Sequence, residues 1–177
     1  MGINVSGIAG SIKKANVKLI TESIGIIISD TYEELFFEYA LSNSMEEDDL
    51  FFTETKNGFI ITAGNKFDIF KIRFRNLSNN GHKLLKFVIG DTSTFYFFEY
   101  LENGNVLRRK LSIEYEVHTE KGKLLNQEFK GLSDDELVEE LMIYVSGDSV
   151  YSIDEKIKTK KYKIITIDEI VTGNPPK

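Results

Sequence analysis

The spacing of hydrophobic and polar positions divides this chain into elements. Between residues 50 and 117, runs rich in Phe, Ile, Val, Tyr and Leu are broken by Asn57-Gly58, Asn80-Gly81 and Asn103-Gly104, each pair 23 residues after the last. Asn-Gly supplies two adjacent residues that tolerate positive φ, as a two-residue type I′ hairpin turn requires. Weaker turn signals fall between them, at Ala63-Gly64-Asn65-Lys66 and Gly90-Asp91-Thr92-Ser93. The pattern predicts a meander of about six antiparallel strands turning at the three Asn-Gly pairs.

Alternation inside the runs predicts which strands are central. Phe95, Phe97 and Leu101 alternate with Tyr96, Phe98 and Tyr100, so 94–101 is apolar on both faces and reads as a strand covered on both sides. Over 106–117, Leu107, Leu111, Ile113, Tyr115 and Val117 oppose Arg108, Lys110, Ser112, Glu114 and Glu116, the pattern of one half-exposed strand. Phe70, Ile72 and Phe74 oppose Lys71, Arg73 and Arg75 in the same way, predicting a strand over 67–76. The sheet is thus expected to bury one face along most of its width. Its expected cover is a helix over 134–146. Ser133 and Glu136 form a capping box, Leu137, Val138, Leu141, Met142, Tyr144 and Val145 make an apolar stripe, and Gly147 stops the helix.

The flanks are less regular. Residues 24–28 have the β-branched content of a buried strand, and 17–23 read as either strand or a helical turn. Asp30 with Glu33 resembles a capping box, and Tyr32, Leu35, Phe36, Tyr39 and Ala40 follow at helical spacing, so 31–42 reads as a short amphipathic helix with strand as the competing assignment. A short turn is expected over 148–153 and a last strand over 161–170. The fold class is therefore α+β: an antiparallel meander of about six or more strands with one or two helices packed on one face. Residues 1–174 form one domain, and 175–177 a disordered tail.

Composition narrows the class of function. At 177 residues with 41% hydrophobic and 28% charged residues, the chain is an ordinary globular domain. The net charge of −6 argues against nonspecific nucleic-acid binding. Cysteine is absent, which fits a reducing compartment and removes thiolate chemistry. Residues 1–7 have no basic stretch ahead of their apolar positions, and no apolar run approaches the roughly 18 residues of a membrane span, so a cytoplasmic location away from membranes is expected.

Candidate chemistry is sparse. His82 lies in the Asn80-Gly81 turn and His118 ends a strand, with no His-x-x-x-His or Glu-x-x-His spacing, so neither a metal site nor a cofactor is expected. Glu54-Thr55-Lys56 matches the Glu-x-Lys of metal-dependent nucleases, but it flanks a hairpin turn, which explains it more simply. Glu46, Glu47, Asp48 and Asp49 form a run of four carboxylates: a solvated loop, a divalent-cation site, or a surface that meets a basic partner. Asp134 and Asp135 begin the expected helix and make a second acidic cluster.

Phe95-Tyr96-Phe97-Phe98-Glu99-Tyr100-Leu101-Glu102-Asn103-Gly104-Asn105-Val106-Leu107-Arg108-Arg109 is an aromatic strand, a turn and a basic return strand. Gly122-Lys123-Leu124-Leu125-Asn126-Gln127-Glu128 then leads to Gly131-Leu132-Ser133-Asp134-Asp135-Glu136-Leu137-Val138-Glu139-Glu140-Leu141. This order resembles small cytosolic immunity proteins encoded beside bacterial polymorphic or type VI secreted toxins. The resemblance implies a non-catalytic protein that binds and occludes a toxin, and it assigns no catalytic residues. The residues themselves fit a binding module whose contacts are Glu46, Glu47, Asp48, Asp49, Asp134 and Asp135. A hydrolase or nuclease with a dispersed site, and a structural or adaptor subunit, are the competing readings.

Overall fold

The computed structural model describes residues 2–41, 45–72, 74–154 and 156–167. Among these are ten strands in one wholly antiparallel sheet: β1 (Asn4–Gly10), β2 (Ile26–Ile28), β3 (Glu33–Phe36), β4 (Asp49–Glu54), β5 (Phe59–Ala63), β6 (Lys83–Gly90), β7 (Phe95–Glu102), β8 (Asn105–Ile113), β9 (Glu116–Gly122) and β10 (Lys158–Ile167). Their order is β2-β10-β4-β5-β1-β6-β7-β8-β9, and β3 also pairs with β10. Two helices, α1 (Val17–Ser23) and α2 (Asp134–Ser146), complete the α+β architecture.

The helices lie on opposite faces. Leu137, Val138, Leu141, Met142 and Val145 of α2 share a core with Val5, Ala9, Ile60, Leu85, Phe87, Ile89, Phe98 and Tyr100. Val17, Ile20 and Ile24 share the other with Ile8, Phe52, Phe59, Ile61, Leu84 and Leu101. Central strands are therefore buried on both sides. Every residue of β5 is buried, and so are the six central residues of β7. The expectation of one buried face fails because no described residue of the 67–76 segment lies in a strand. Residues 64–72 and 74–82 instead form an irregular cover, with a 3-10 turn at Arg75–Ser78, that packs Phe67, Ile69, Ile72 and Phe74 onto the α1 face. The Asp68 carboxylate accepts the Phe70 N–H at 3.1 Å, turning the chain there and leaving Phe70 largely outside.

The three Asn-Gly pairs behave differently. Asn103-Gly104, at φ 50° and 74°, closes the β7–β8 hairpin with Glu102 opposite Asn105. Asn80-Gly81, at φ 62° and 81°, joins a 3-10 turn to β6. Asn57-Gly58 closes β4–β5 with neither residue at positive φ. A turn absent from the sequence reading, Glu114-Tyr115 at φ 51° and 65°, splits the expected 106–117 strand into β8 and β9. The meander is also interrupted, since β1 lies between β5 and β6 and pairs with both.

The expected 31–42 helix is β3 followed by a 3-10 turn at Phe37–Leu41. Pairing with β10 decides this: Glu33 and Glu34 lie opposite Lys161 and Lys160, and tertiary pairing outweighs the local helical spacing. Asp30, expected as a cap, pairs with Lys18. The α2 helix has the expected limits. The Glu136 carboxylate accepts the Ser133 N–H and hydroxyl at 2.9 and 2.7 Å, and Gly147 ends the helix at φ 89°. The last strand begins three residues earlier than expected, and the 175–177 tail lies outside the described residues. No helix among the described residues is long and apolar enough to cross a membrane.

Candidate functional site

The first acidic cluster is held from within. Asp49 opens β4 almost fully buried, and β10 passes beside it with Lys161 and Lys163. The Lys163 ammonium donates to Asp48 Oδ1 at 2.9 Å, contacts Glu46 Oε2, and forms an ion pair with Asp49 Oδ1 at 2.7 Å. Lys161 lies 3.2 Å from Asp49 Oδ2, which also accepts the Glu46 N–H. Burial pushes the Asp49 carboxyl up, but Lys163, the Glu46 N–H and Lys161 outweigh it and hold the group below its ordinary value. The same contacts, from Asp49, Glu46 and Asp48, push the Lys163 ammonium up. One carboxylate oxygen from each of Glu46, Asp48 and Asp49 lies within 4.8 Å of the others, the geometry of a cation site, and the lysine ammonium supplies the charge. Glu47 alone of the four is exposed with no ion-pair partner among the described residues.

The second cluster lies elsewhere. Asp134 pairs with Lys110 of β8 at 2.7 Å, while Asp135 has no ion-pair partner among the described residues. Five strand spacings separate β4 from β8, about 24 Å at ~4.8 Å each, so the fold does not bring the two clusters together.

What the fold does gather is a surface around β9, the last strand of the sheet. Between the β8–β9 hairpin, the 3-10 turn at Asn126–Lys130 and the start of α2 is a cleft of about 210 Å3 bordered by Val117, Leu124, Leu132 and Leu137. Its floor is polar and fully paired. Arg108 is 2% exposed, and its Nε donates to both Glu128 oxygens at 3.1 and 3.0 Å. Nη2 reaches Glu128 at 2.7 Å and also pairs with Glu120, while Nη1 donates to the carbonyls of Lys121 and Gly122. Burial alone would push this guanidinium down; the two carboxylates reverse that and hold it above its usual value. On the opposite face Glu99 bridges buried Lys86, at 3.1 Å, and Arg109, which ties β8 to β6 and β7.

Around this braced hairpin the exposed side chains include apolar and acidic groups together with His118, Lys121 and Lys123. Tyr115 is 77% and Phe129 71% exposed, and Val117 and Leu124 are each about half exposed. Glu114, Glu116 and Asp135 stand beside them without ion-pair partners among the described residues. Of the expected contact residues, Asp134 and Asp135 belong to this surface and Glu46, Glu47, Asp48 and Asp49 do not. Tyr115, Val117 and Phe129 were hidden in the sequence. A Glu-Tyr turn has no sequence signature, and without that turn Tyr115 and Val117 read as the buried side of a longer strand.

The remaining candidates have structural partners. Lys56 pairs with Asp148 at 2.9 Å, and its N–H donates to the same carboxylate, so Glu54-Thr55-Lys56 fastens a hairpin to the turn after α2. His82 precedes β6 and His118 lies exposed on β9, three strands away. Of the β7 aromatics, Tyr96, Phe97, Phe98 and Tyr100 are buried core, and Phe95 is half-buried. Comparison with known proteins finds no matching family model, no similar curated protein and no similar solved structure.

Proposed function

We propose that this chain is a protein-binding module without catalytic function, acting as an immunity protein that neutralises a bacterial toxin through the β9 end of its sheet. The observation that carries the reading is the exposure of Tyr115 and Phe129, large aromatics of the kind that anchor protein interfaces, beside half-exposed Val117 and Leu124. The acids Glu114, Glu116 and Asp135, without ion-pair partners among the described residues, fit a partner with a basic rim, as toxins that cut nucleic acids present. The charge network through Arg108 ties β8 to β9 and to the 126–130 turn, and Glu99 anchors β8 to its inner neighbours, so little ordering entropy is lost on binding. Among the described residues β9 also leaves one edge without a neighbouring strand, open to an extended segment of the partner. The resemblance to immunity proteins spans 95–141, the stretch that builds this surface.

Co-expression with the toxin domain encoded beside the gene tests both levels. Protection of the host and a co-purifying complex are expected. Tyr115→Ala combined with Phe129→Ala should abolish both while leaving the melting midpoint nearly unchanged. Protection by this double variant at the wild-type level would remove the surface from the interface; a wild-type chain that neither binds nor protects would remove the immunity reading.

A further inference from the structure

On the face that α1 covers, opposed side chains run across the strands in rows. Ala63 of β5, Ser6 of β1 and Val88 of β6 form one row; Asn4, Gly90 and Phe95 form the next. The bulky residues of the cover join Ile8, Phe59, Ile61 and Ala63, with Val88 at the margin of that core, and beyond it Ser6 and Asn4 are left short of full burial. A cavity of about 510 Å3 opens there, within the usual size range for small-ligand sites. Its rim is made by Asn4, Asn65, Thr92, Ser93 and Phe95.

The lining has an unusual chemistry for this chain. More than a quarter of the residues are charged, yet none of the lining residues is. The polar groups are carboxamides and hydroxyls only. The Thr92 hydroxyl donates to Asn4 Oδ1 at 2.9 Å, which orients that carboxamide and leaves its NH2 free to donate. A carboxamide offers a donor and an acceptor side by side, the match for neighbouring hydroxyls on a ring. Beside the rim, Phe70 is 56% exposed, edge-on to Phe95 at 6.5 Å and against Phe97 at 4.9 Å. Exposed aromatic faces next to neutral hydrogen-bonding groups suit a ligand with one apolar and one hydroxylated side.

We infer that this cavity binds a neutral carbohydrate, with its hydroxyls held by Asn4, Asn65, Ser6, Thr92 and Ser93 and the C–H face of a ring against Phe95 and Phe70. Phosphorylated and carboxylated sugars find no cation here and are discriminated against. The site stands apart from the β9 surface and does not depend on the immunity reading.

A 1H–15N NMR titration with glucose, galactose, mannose and N-acetylglucosamine and their disaccharides tests it, with glucuronate and glucose 6-phosphate as charged counterparts. At least one neutral sugar should shift the Asn4, Asn65 and Thr92 amides with millimolar affinity. Ser6→Val, which fills the floor with a residue that strands accept, should weaken that affinity at least tenfold. Should that variant misfold, Asn65→Ala at an exposed rim position carries the same expectation. Binding by no neutral member, equal affinity for the charged sugars, or an unchanged affinity in the folded variants would overturn the inference.

Discussion

Glu114 and Tyr115 both adopt left-handed backbone without glycine, a conformation that costs each residue about 1 kcal/mol. Replacing the pair with Asn-Gly should therefore stabilise the protein by about 1 kcal/mol in urea unfolding, and it should also weaken toxin protection because it deletes Tyr115. A gain in stability with full protection would separate the turn from the interface. Lys163 offers a second residue test. Its removal in Lys163→Met leaves buried Asp49 with Lys161 alone, at a cost of about 3 kcal/mol at neutral pH. Asp49 has a depressed carboxyl, so its stabilising contribution is present above the ordinary carboxyl value of about 4 and is lost as pH falls through the lower folded value. The variant's deficit should shrink on acidification below pH ~4, and a deficit constant with pH would show that the loss lies in packing instead. Because an ammonium already fills the carboxylate cluster, a chelator should leave the thermal midpoint unchanged; a fall of several degrees would place a metal at Glu46, Asp48 and Asp49.

Among elements, α2 was the most legible in the sequence because its cap, stripe and stop all agree. Ser133, Glu136, Leu137, Leu141 and Gly147 each serve the role that their spacing assigns. Leu141 is fully buried between α2 and the sheet, so Leu141→Ala should cost about 2–5 kcal/mol in urea unfolding; a cost below about 1 kcal/mol would mean that α2 packs elsewhere. Strands were legible where the partner is the sequence neighbour, as with β7 and β8. They were misread where a distant partner decides. Phe70, Ile72 and Phe74 have the period of a strand, but the sheet edges they would join are taken: β5 pairs with β1 and β6 with β7. Residues 31–42 have a helical stripe, but β10, more than a hundred residues later, holds Glu33 and Glu34 extended. Local pattern carries no information about such partners.

The whole molecule is organised by its two terminal strands, which local pattern could not place. β1 enters the middle of the sheet and β10 builds its far side, so the central meander is divided and both faces acquire a cover. The candidate surface was legible only in part for a related reason: Asp134 and Asp135 announce themselves by charge, whereas Tyr115, Val117 and Phe129 become a surface only once β9 is the end of the sheet. β10 pairs with β3 over 158–161, with β4 over 160–163 and with β2 over 164–167, and it supplies both lysines that neutralise Asp49. A chain ending at residue 157 would leave β2 and β3 with no strand to pair with, expose the edge of β4, remove Tyr162 and Ile164 from the α1-side core, and leave Asp49 buried without a cation. Burying an unpaired carboxylate and losing two core side chains together exceed the few kcal/mol by which a domain of this size is held folded. The truncated chain should therefore lose its cooperative thermal transition, and adding a peptide of residues 156–167 in excess should restore part of it. A truncated chain that melts cooperatively within a few degrees of the full one would show that β1 and the β4–β9 strands fold without β10, and that the far side of the sheet is an appendage rather than part of the core.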